Sequence, residues 1–163
     1  MSAKPGKTGK KRVQEDVKVL VRNRRARHDY DIDETLEAGI SLAGSEVKSL
    51  RDQRASIAEG HIAIRNREAW LVGVQIQEYP WAHIRTHVPT RDRKLLLHRR
   101  EIDKLETKLT QRGYTLVPLA FYVKNGHIKL ELGVARGKRQ YEKRESQKES
   151  EAKREIDRAM RRR

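Results

Sequence analysis

The chain has 163 residues, enough for one domain with a core plus extensions, and its lack of cysteine excludes disulfides and thiolate metal sites. Its formal charge of +15 is segregated: residues 1–28 carry +8, residues 29–135 only +1, and residues 136–163 carry +6. Two basic arms on a nearly neutral body point to a polyanion, and neither arm has the bulky apolar face that membrane insertion needs.

Residues 1–14 are rich in Lys and Gly without periodicity, and a disordered basic arm is expected over 1–16. No apolar run reaches membrane-spanning length and the first residues lack an apolar export signal, so a soluble cytoplasmic protein is expected. Val17, Val19 and Val21 alternate with Lys18, Leu20 and Arg22 and suggest a short strand. The basic stretch NRRARHD reads as a connector. From Tyr30 a period of two is clear. Tyr30, Ile32, Leu36, Ala38, Ile40 and Leu42 predict one buried face of a long antiparallel strand, with a bend or bulge at Gly39. Ser45 would cap a short helix, SEVKSLR, with Val47 and Leu50 inward.

Two further strands carry Ile62 and Ile64, then Trp70, Val72, Val74 and Ile76 on a shared face, with RNRE as a tight loop between them. Pro80 and Pro89 bracket a polar loop. A helix is predicted over about Thr90–Arg112, broken near His98 and stopped by Gly113. The last two strands flank Asn125-Gly126, the strongest short-range hairpin signal. The fold class expected is mainly β: an OB-type closed antiparallel barrel of about six strands over 17–135, with two or three inserted helices. A basic tail follows over 136–163.

Little in the chain demands catalysis. PGKTGKK and GVARGKR both fail the phosphate-loop pattern. His83 and His87 are four apart, but the flanking prolines argue for loop and no third ligand stands nearby. Alternation places Asp31, Asp33 and Glu37 on one face, which leaves a two-metal nuclease as an alternative to a solvated strand face. Tyr30 and Tyr141 sit among cations. Such rings stack on unpaired bases while the cations hold phosphates, although the parity of Tyr30 also fits core packing.

Five stretches resemble one family in order and spacing: NRRARHDY (23–30), EAGISLAGSEVKSLR (37–51), KLLLHRREI (94–102), GYTLVPLAFYVKNG (113–126) and GVARGKRQYEKR (133–144). Together they are similar to the SsrA-binding, or SmpB, family over roughly residues 17–163. The resemblance implies an OB-type barrel, no enzymatic activity, no cofactor and a monomer. It implies binding to transfer-messenger RNA (tmRNA, or SsrA RNA), whose tRNA-like part the protein grips in place of a missing anticodon arm. It also implies ribosome rescue by trans-translation, in functional association with alanyl-tRNA synthetase and elongation factor Tu. Another OB-type ribosomal or translation-factor module is the alternative.

By matching motif positions, Asn23, Arg25, Arg27, His28, Tyr30, Glu37, Lys94, Leu96 and Lys129 would form the surface for the tRNA-like RNA. Gly137, Lys138, Arg139, Tyr141, Lys143 and Arg144 would meet the ribosomal decoding centre, with the tail entering the empty mRNA channel. Glu37 is odd as an RNA contact. It could accept from a base edge, orient a neighbouring cation or form a structural ion pair. Members of the family often carry two adjacent apolar residues near the tail end, where this chain has Ile156 and Met160. Ala152, Ile156, Ala159 and Met160 form only a thin helical stripe, and the i,i+4 pairs Glu149–Lys153 and Asp157–Arg161 contribute roughly 0.2–0.5 kcal/mol each. Nucleation costs more than this, so the free tail is expected to be disordered and to become helical on its partner.

Overall fold

The computed structural model describes residues 17–82 and 85–161, so the expected arm over 1–16 and the candidate ligand His83 lie outside the described residues. In chain order the elements are β1 (Val17–Arg22), α1 (Ala26–Asp29), β2 (Tyr30–Ile40), α2 (Gly44–Arg51), β3 (Ala55–Ser56), β4 (His61–Arg65), β5 (Glu68–Val72) and β6 (Gln75–Ile76). They continue with β7 (Arg93–Leu96), α3 (Arg99–Thr110), β8 (Tyr114–Lys124), β9 (His127–Gly137) and α4 (Gln140–Arg161). Seven strands form one antiparallel sheet in the order β1-β8-β9-β2-β7-β5-β4, and β3 pairs with β6 beside it. The expected closed ladder is corrected: among the described residues the sheet ends at β1 and β4. It nevertheless curls, since β4 approaches β8 without pairing to it.

The turn chemistry predicts both tight hairpins. Asn66 and Arg67 take positive φ between β4 and β5, and Asn125 and Gly126 do so between β8 and β9. The β8–β9 turn pairs Lys124 with His127, which fixes the partners up to the Ala120–Glu131 pair, including Tyr122 with Lys129 and Phe121 with Leu130. Along β9 the even residues Leu130, Leu132 and Val134 point into the main core. The odd residues 129, 131, 133, 135 and 137 therefore face the other way.

Strands β2 and β8 each slip by one residue against β9, at Asp33 and at Leu119. A slip of one residue exchanges the two faces. Ile32 lies opposite Ala135, whereas Leu36 lies opposite Leu132. The expected single buried face of β2 is thus divided. Leu36 and Ala38 serve the main core, while Tyr30 and Ile32 join Ala26, Val117, Leu119 and Ala135 in a second, outer cluster. The bulge is at Asp33 and not at Gly39. Gly133 makes room for the outer cluster, because a Cβ there would stand 3.1 Å from Leu119 Cδ1 and 3.2 Å from Ile32 Cγ2.

Other expectations are corrected by pairing. In β1 it is Leu20 that enters the core, and Val17 and Val19 are exposed. In β5 the buried residues are Ala69 and Leu71, and Trp70 and Val72 face out. Residues 93–96, expected in a helix, form β7 because they fill the slot between β2 and β5, where Leu95 pairs with both Ile40 and Ala69. The predicted helix survives as α3, with Ile102 and Leu105 buried.

One buried ion pair organises the loop between β6 and β7. Arg93 and Glu46 have fully buried side chains, with Arg93 Nε donating to Glu46 Oε1 at 2.9 Å. The remaining Arg93 donors reach the carbonyls of Val74 (2.8 Å), Arg91 (2.9 Å) and Pro89 (2.9 Å). Glu46 also accepts the Ala43 N–H at 2.8 Å, so Ala43, not Ser45, begins α2. Ser45 instead lies 2.8 Å from His87 Nδ1, and His87 Nε2 lies 2.9 Å from the Ile76 carbonyl. Both ring nitrogens of His87 are committed to protein groups, which removes it as a metal ligand.

Burial alone would raise the Glu46 carboxyl, but Arg91, the Ala43 amide and Arg93 outweigh it and hold it below the ordinary glutamate value of 4.5. The stability it contributes is therefore complete above pH 4.5 and is lost as pH falls through the lowered value. Removing one partner strands the other charge in the core. Glu46→Ala should cost about 3–5 kcal/mol in urea unfolding at neutral pH, and a loss under about 1 kcal/mol would contradict this role.

Candidate RNA interface

The outward face of β9 carries a group of charged side chains at each of its two ends. From Lys129 to Gly137 is eight residues of strand, roughly 26 Å at 3.3 Å per residue.

At the hairpin end, residues directly opposite one another make a row across five strands. Val19 pairs with Tyr122, Tyr122 with Lys129, Lys129 with Gly39, and Gly39 with Leu96. Paired residues share a face, so Tyr122, Lys129 and Leu96 are presented side by side. Gly39 lets Leu96 lie close, since a Cβ at position 39 would come within 3.1 Å of Leu96 Cβ. Leu96 is 56% exposed, an apolar side chain set among cations.

Glu37 stands one step along this face. It accepts the Tyr122 hydroxyl at 2.5 Å and lies 3.4 Å from Lys124 Nζ and 3.8 Å from Lys129 Nζ. The Tyr122 hydroxyl is the main cause that holds the Glu37 carboxyl below its ordinary range, aided by Lys124 and Lys129 against some desolvation. Burial first, and then Glu37, push the Tyr122 phenol up, so it stays protonated and donating. This geometry favours the orienting role for Glu37 over direct acceptance from a base. Its carboxylate accepts from the Tyr122 hydroxyl and from Lys124 and lies beside Lys129, so it gathers two lysines onto one spot. Lys94 lies on the same face and is ion-paired to Glu68.

At the other end sits α1, mounted on the outer cluster through Ala26. Asn23 is buried, and its amide is spent on the Pro118 carbonyl (2.9 Å) and the Ala26 N–H (3.1 Å). It positions α1 and does not reach outward. Arg27 and His28 are exposed on α1, and Arg25 is exposed immediately before it. Tyr30 packs against the outer cluster, which decides for core packing at that residue. The Asp29 carboxylate receives His28 Nδ1 at 3.0 Å and lies 3.7 Å from both Lys143 Nζ and Arg25 Nε. The His28 hydrogen bond is the main cause that lowers its pKa, with Lys143 and Arg25 adding to it.

The tail begins at this same place. Gly137 pairs with Tyr30, and the Lys138 N–H donates to the Asp29 carbonyl at 3.0 Å. The Arg139 N–H donates to Glu142 Oε2 at 2.8 Å, which starts α4. Beyond its root α4 buries no residue, and Tyr141, Arg144, Ile156 and Met160 are all exposed. Met160 is 73% exposed.

The nuclease alternative loses its geometry. Asp31 lies opposite Arg136 and Asp33 sits at the slip, so neither shares a face with Glu37. Among the described residues no group of three or more His, Cys, Asp or Glu is placed to hold a metal ion. Sequence reasoning missed Tyr122 and Asp29. Tyr122 was legible in principle, because a two-residue turn at 125–126 puts it opposite Lys129. The long-range part of the Asp29 site could not be found that way, since its partner on α4, Lys143, is more than 100 residues distant in the chain. Tyr122→Phe should raise the Glu37 carboxyl pKa toward its ordinary value, read by NMR titration of the side-chain carboxyl. An unchanged titration would mean that the hydroxyl does not hold that charge.

With this geometry in place, comparison with known proteins is direct. The family described as "SmpB protein" matches residues 20–162. The SsrA-binding protein of Thermobifida fusca (strain YX) is 55% identical over 146 residues, 90% of this chain and 91% of its own. The SsrA-binding protein of Leifsonia xyli subsp. xyli (strain CTCB07) is 52% identical over 143 residues, 88% of this chain and 90% of its own. A solved chain described as "tmRNA-SmpB: a journey to the center of the bacterial ribosome" superposes with a TM-score of 0.64 at 44% identity, over 76% of this chain and 87% of that one. Coverage and identity of this extent show that the chain belongs to the SmpB family of SsrA-binding proteins.

Proposed function

We propose that the chain is an RNA-binding adaptor of trans-translation. The curled sheet is read as a partly open OB-type barrel whose outer face holds the tRNA-like part of tmRNA in place of an anticodon arm. Arg25, Arg27 and His28 engage that RNA from α1, and Lys129, Lys94 and Leu96 engage it from the hairpin end. Alanyl-tRNA synthetase and elongation factor Tu serve the complex as they would a tRNA. The tail, disordered when free and helical when bound, enters the empty mRNA channel with Ile156 and Met160 as anchors. Gly137, Lys138, Arg139, Tyr141, Lys143 and Arg144 meet the decoding centre.

The observation that carries this reading is the alignment of both basic patches on one face of β9. Cations held there by exposed ion pairs can be redirected, because such pairs are worth little in water and phosphates offer a denser negative charge. Tyr141 is 55% exposed beside the basic start of α4 and is free to stack on a base.

Lys129→Gln should weaken binding of a tRNA-like tmRNA fragment and reduce the slope of log K against log salt by about 1. An unchanged slope would remove Lys129 from the phosphate contacts. Ending the chain after Arg139 keeps Lys138 against α1 and removes the rest of the tail. That protein should bind the same fragment within about threefold of the full chain, a difference under 1 kcal/mol, yet fail to support tagging of stalled products. Equal loss of both would contradict the division of labour.

A further inference from the structure

A cavity of about 460 Å³ opens between the β4–β5 turn, the end of β7 and the first turn of α3. That lies within the roughly 300–1,000 Å³ of small-ligand sites, with room for a flat purine. Its lining is graded. Leu95 and Ile102 are buried, Leu97 is half-buried, and the exposed Leu96 forms the lip. Arg67, Lys94 and Arg99 line it together with one carboxylate, Glu68, which is ion-paired to Lys94. Arg99 Nη1 donates to the Arg67 carbonyl at 3.1 Å, which ties the turn to α3. Both guanidinium groups share Asp103 Oδ1, at 3.8 Å from Arg67 and 3.6 Å from Arg99. Pairs this long and this exposed contribute little in water. The outer-face row of Tyr122, Lys129, Gly39 and Leu96 reaches the cavity at its lip.

We propose that this cavity receives one unstacked purine of the RNA on the outer face, with the phosphate of that nucleotide held between Arg67 and Arg99. The inference deepens, and rests on, the reading that Lys129, Lys94 and Leu96 engage the tRNA-like RNA. A nucleotide is a flat, largely apolar ring with its charge at one side, and the cavity is an apolar floor with cations at its rim. A base stacked in a duplex cannot enter, so the occupant is unpaired. Burial of its faces against Leu97 and Ile102 replaces the stacking it gives up, and a purine buries more than a pyrimidine. Its phosphate draws the two arginines from Asp103, because charge-assisted bonds to a phosphate are shorter and stronger than the pairs they leave. An apolar peptide side chain would fill the floor but leave both arginines with Asp103 alone, so the rim favours the nucleotide. The exposure of Leu96 amid cations has a reason in this arrangement: the base passes over it.

The probe is a set of tRNA-like tmRNA fragments, each carrying 2-aminopurine in place of one unpaired purine. That base is dark when stacked and bright when unstacked away from aromatic rings, and among the described residues no Phe, Tyr or Trp lines this cavity. With the full chain added to saturation, one labelled position should brighten severalfold over the free RNA. Leu97→Phe, which fills the cavity, should abolish the brightening and weaken binding about tenfold. An abasic site at the same nucleotide should weaken the unsubstituted chain to a similar extent and the Leu97→Phe chain hardly at all. The double variant Arg67→Gln/Arg99→Gln changes only exposed side chains, so it tests the rim whether or not Leu97→Phe folds. It should lower the slope of log K against log salt by about 1. Binding with every label dark, brightening that persists in Leu97→Phe, or an unchanged slope in the arginine variant would each overturn the base site and leave the outer-face reading in place. Failure of the unsubstituted chain to bind any fragment would overturn the functional reading and this site with it.

Discussion

The strict alternation of β9 is the constraint on which the rest of the structure depends. Its even residues are spoken for by the main core, so its odd residues must face outward from Lys129 to Gly137. Neighbouring strands match this alternation only by slipping, at Asp33 in β2 and at Leu119 in β8. Each slip delivers apolar side chains to the outer face, where Gly133 leaves space for them. The small cluster that results is what mounts α1, and through α1 the root of the tail. A sheet without the slips would send Ile32 and Leu119 to the other face and take both from the cluster that seats α1.

Charge is used in two contrasting ways. Glu46 and Arg93 are fully buried and saturated with hydrogen bonds, so their pairing fixes a loop and is costly to break. On the outer face the pairs are at least partly exposed, and several are long: Lys129–Glu37 at 3.8 Å, Lys143–Asp29 at 3.7 Å, Arg25–Asp29 at 3.7 Å. Those pairs hold cations in readiness without committing them. A carboxylate on the face proposed to bind RNA would otherwise be a liability. Here Glu37 gathers two lysines around a point that Tyr122 also supports, and Asp29 does the same at the other end.

The hairpins, the length of β2, the helix that became α3 and the basic tail were legible in the sequence because each is encoded locally. Asn125-Gly126 sets a turn by its own backbone preference, and the period of two in residues 30–42 needs no partner to be seen. The bulges were not legible, since a slip is defined by the strand opposite and leaves the sequence period unchanged. For that reason Tyr30 and Ile32 could not be told apart from Leu36 and Ala38. β7 was hidden for a related reason. KLLL has no strong turn signal before His98, and it is a strand only because β2 and β5 leave a place for one. The site residues carried over by family resemblance divide in the same manner. Arg25, Arg27 and His28 are exposed, whereas Asn23 is taken by the fold.

The most direct measurement is amide hydrogen exchange on Leu119→Ala, which shrinks the outer cluster and leaves the main core residues in place. The account predicts that the amides of His28 and Asp29 in α1, and of Lys138 at the tail root, lose protection together, while those of Leu71 and Leu95 keep it. Uniform loss across the chain, or no change in α1 and Lys138, would contradict the claim that this cluster is what mounts α1 and the tail root.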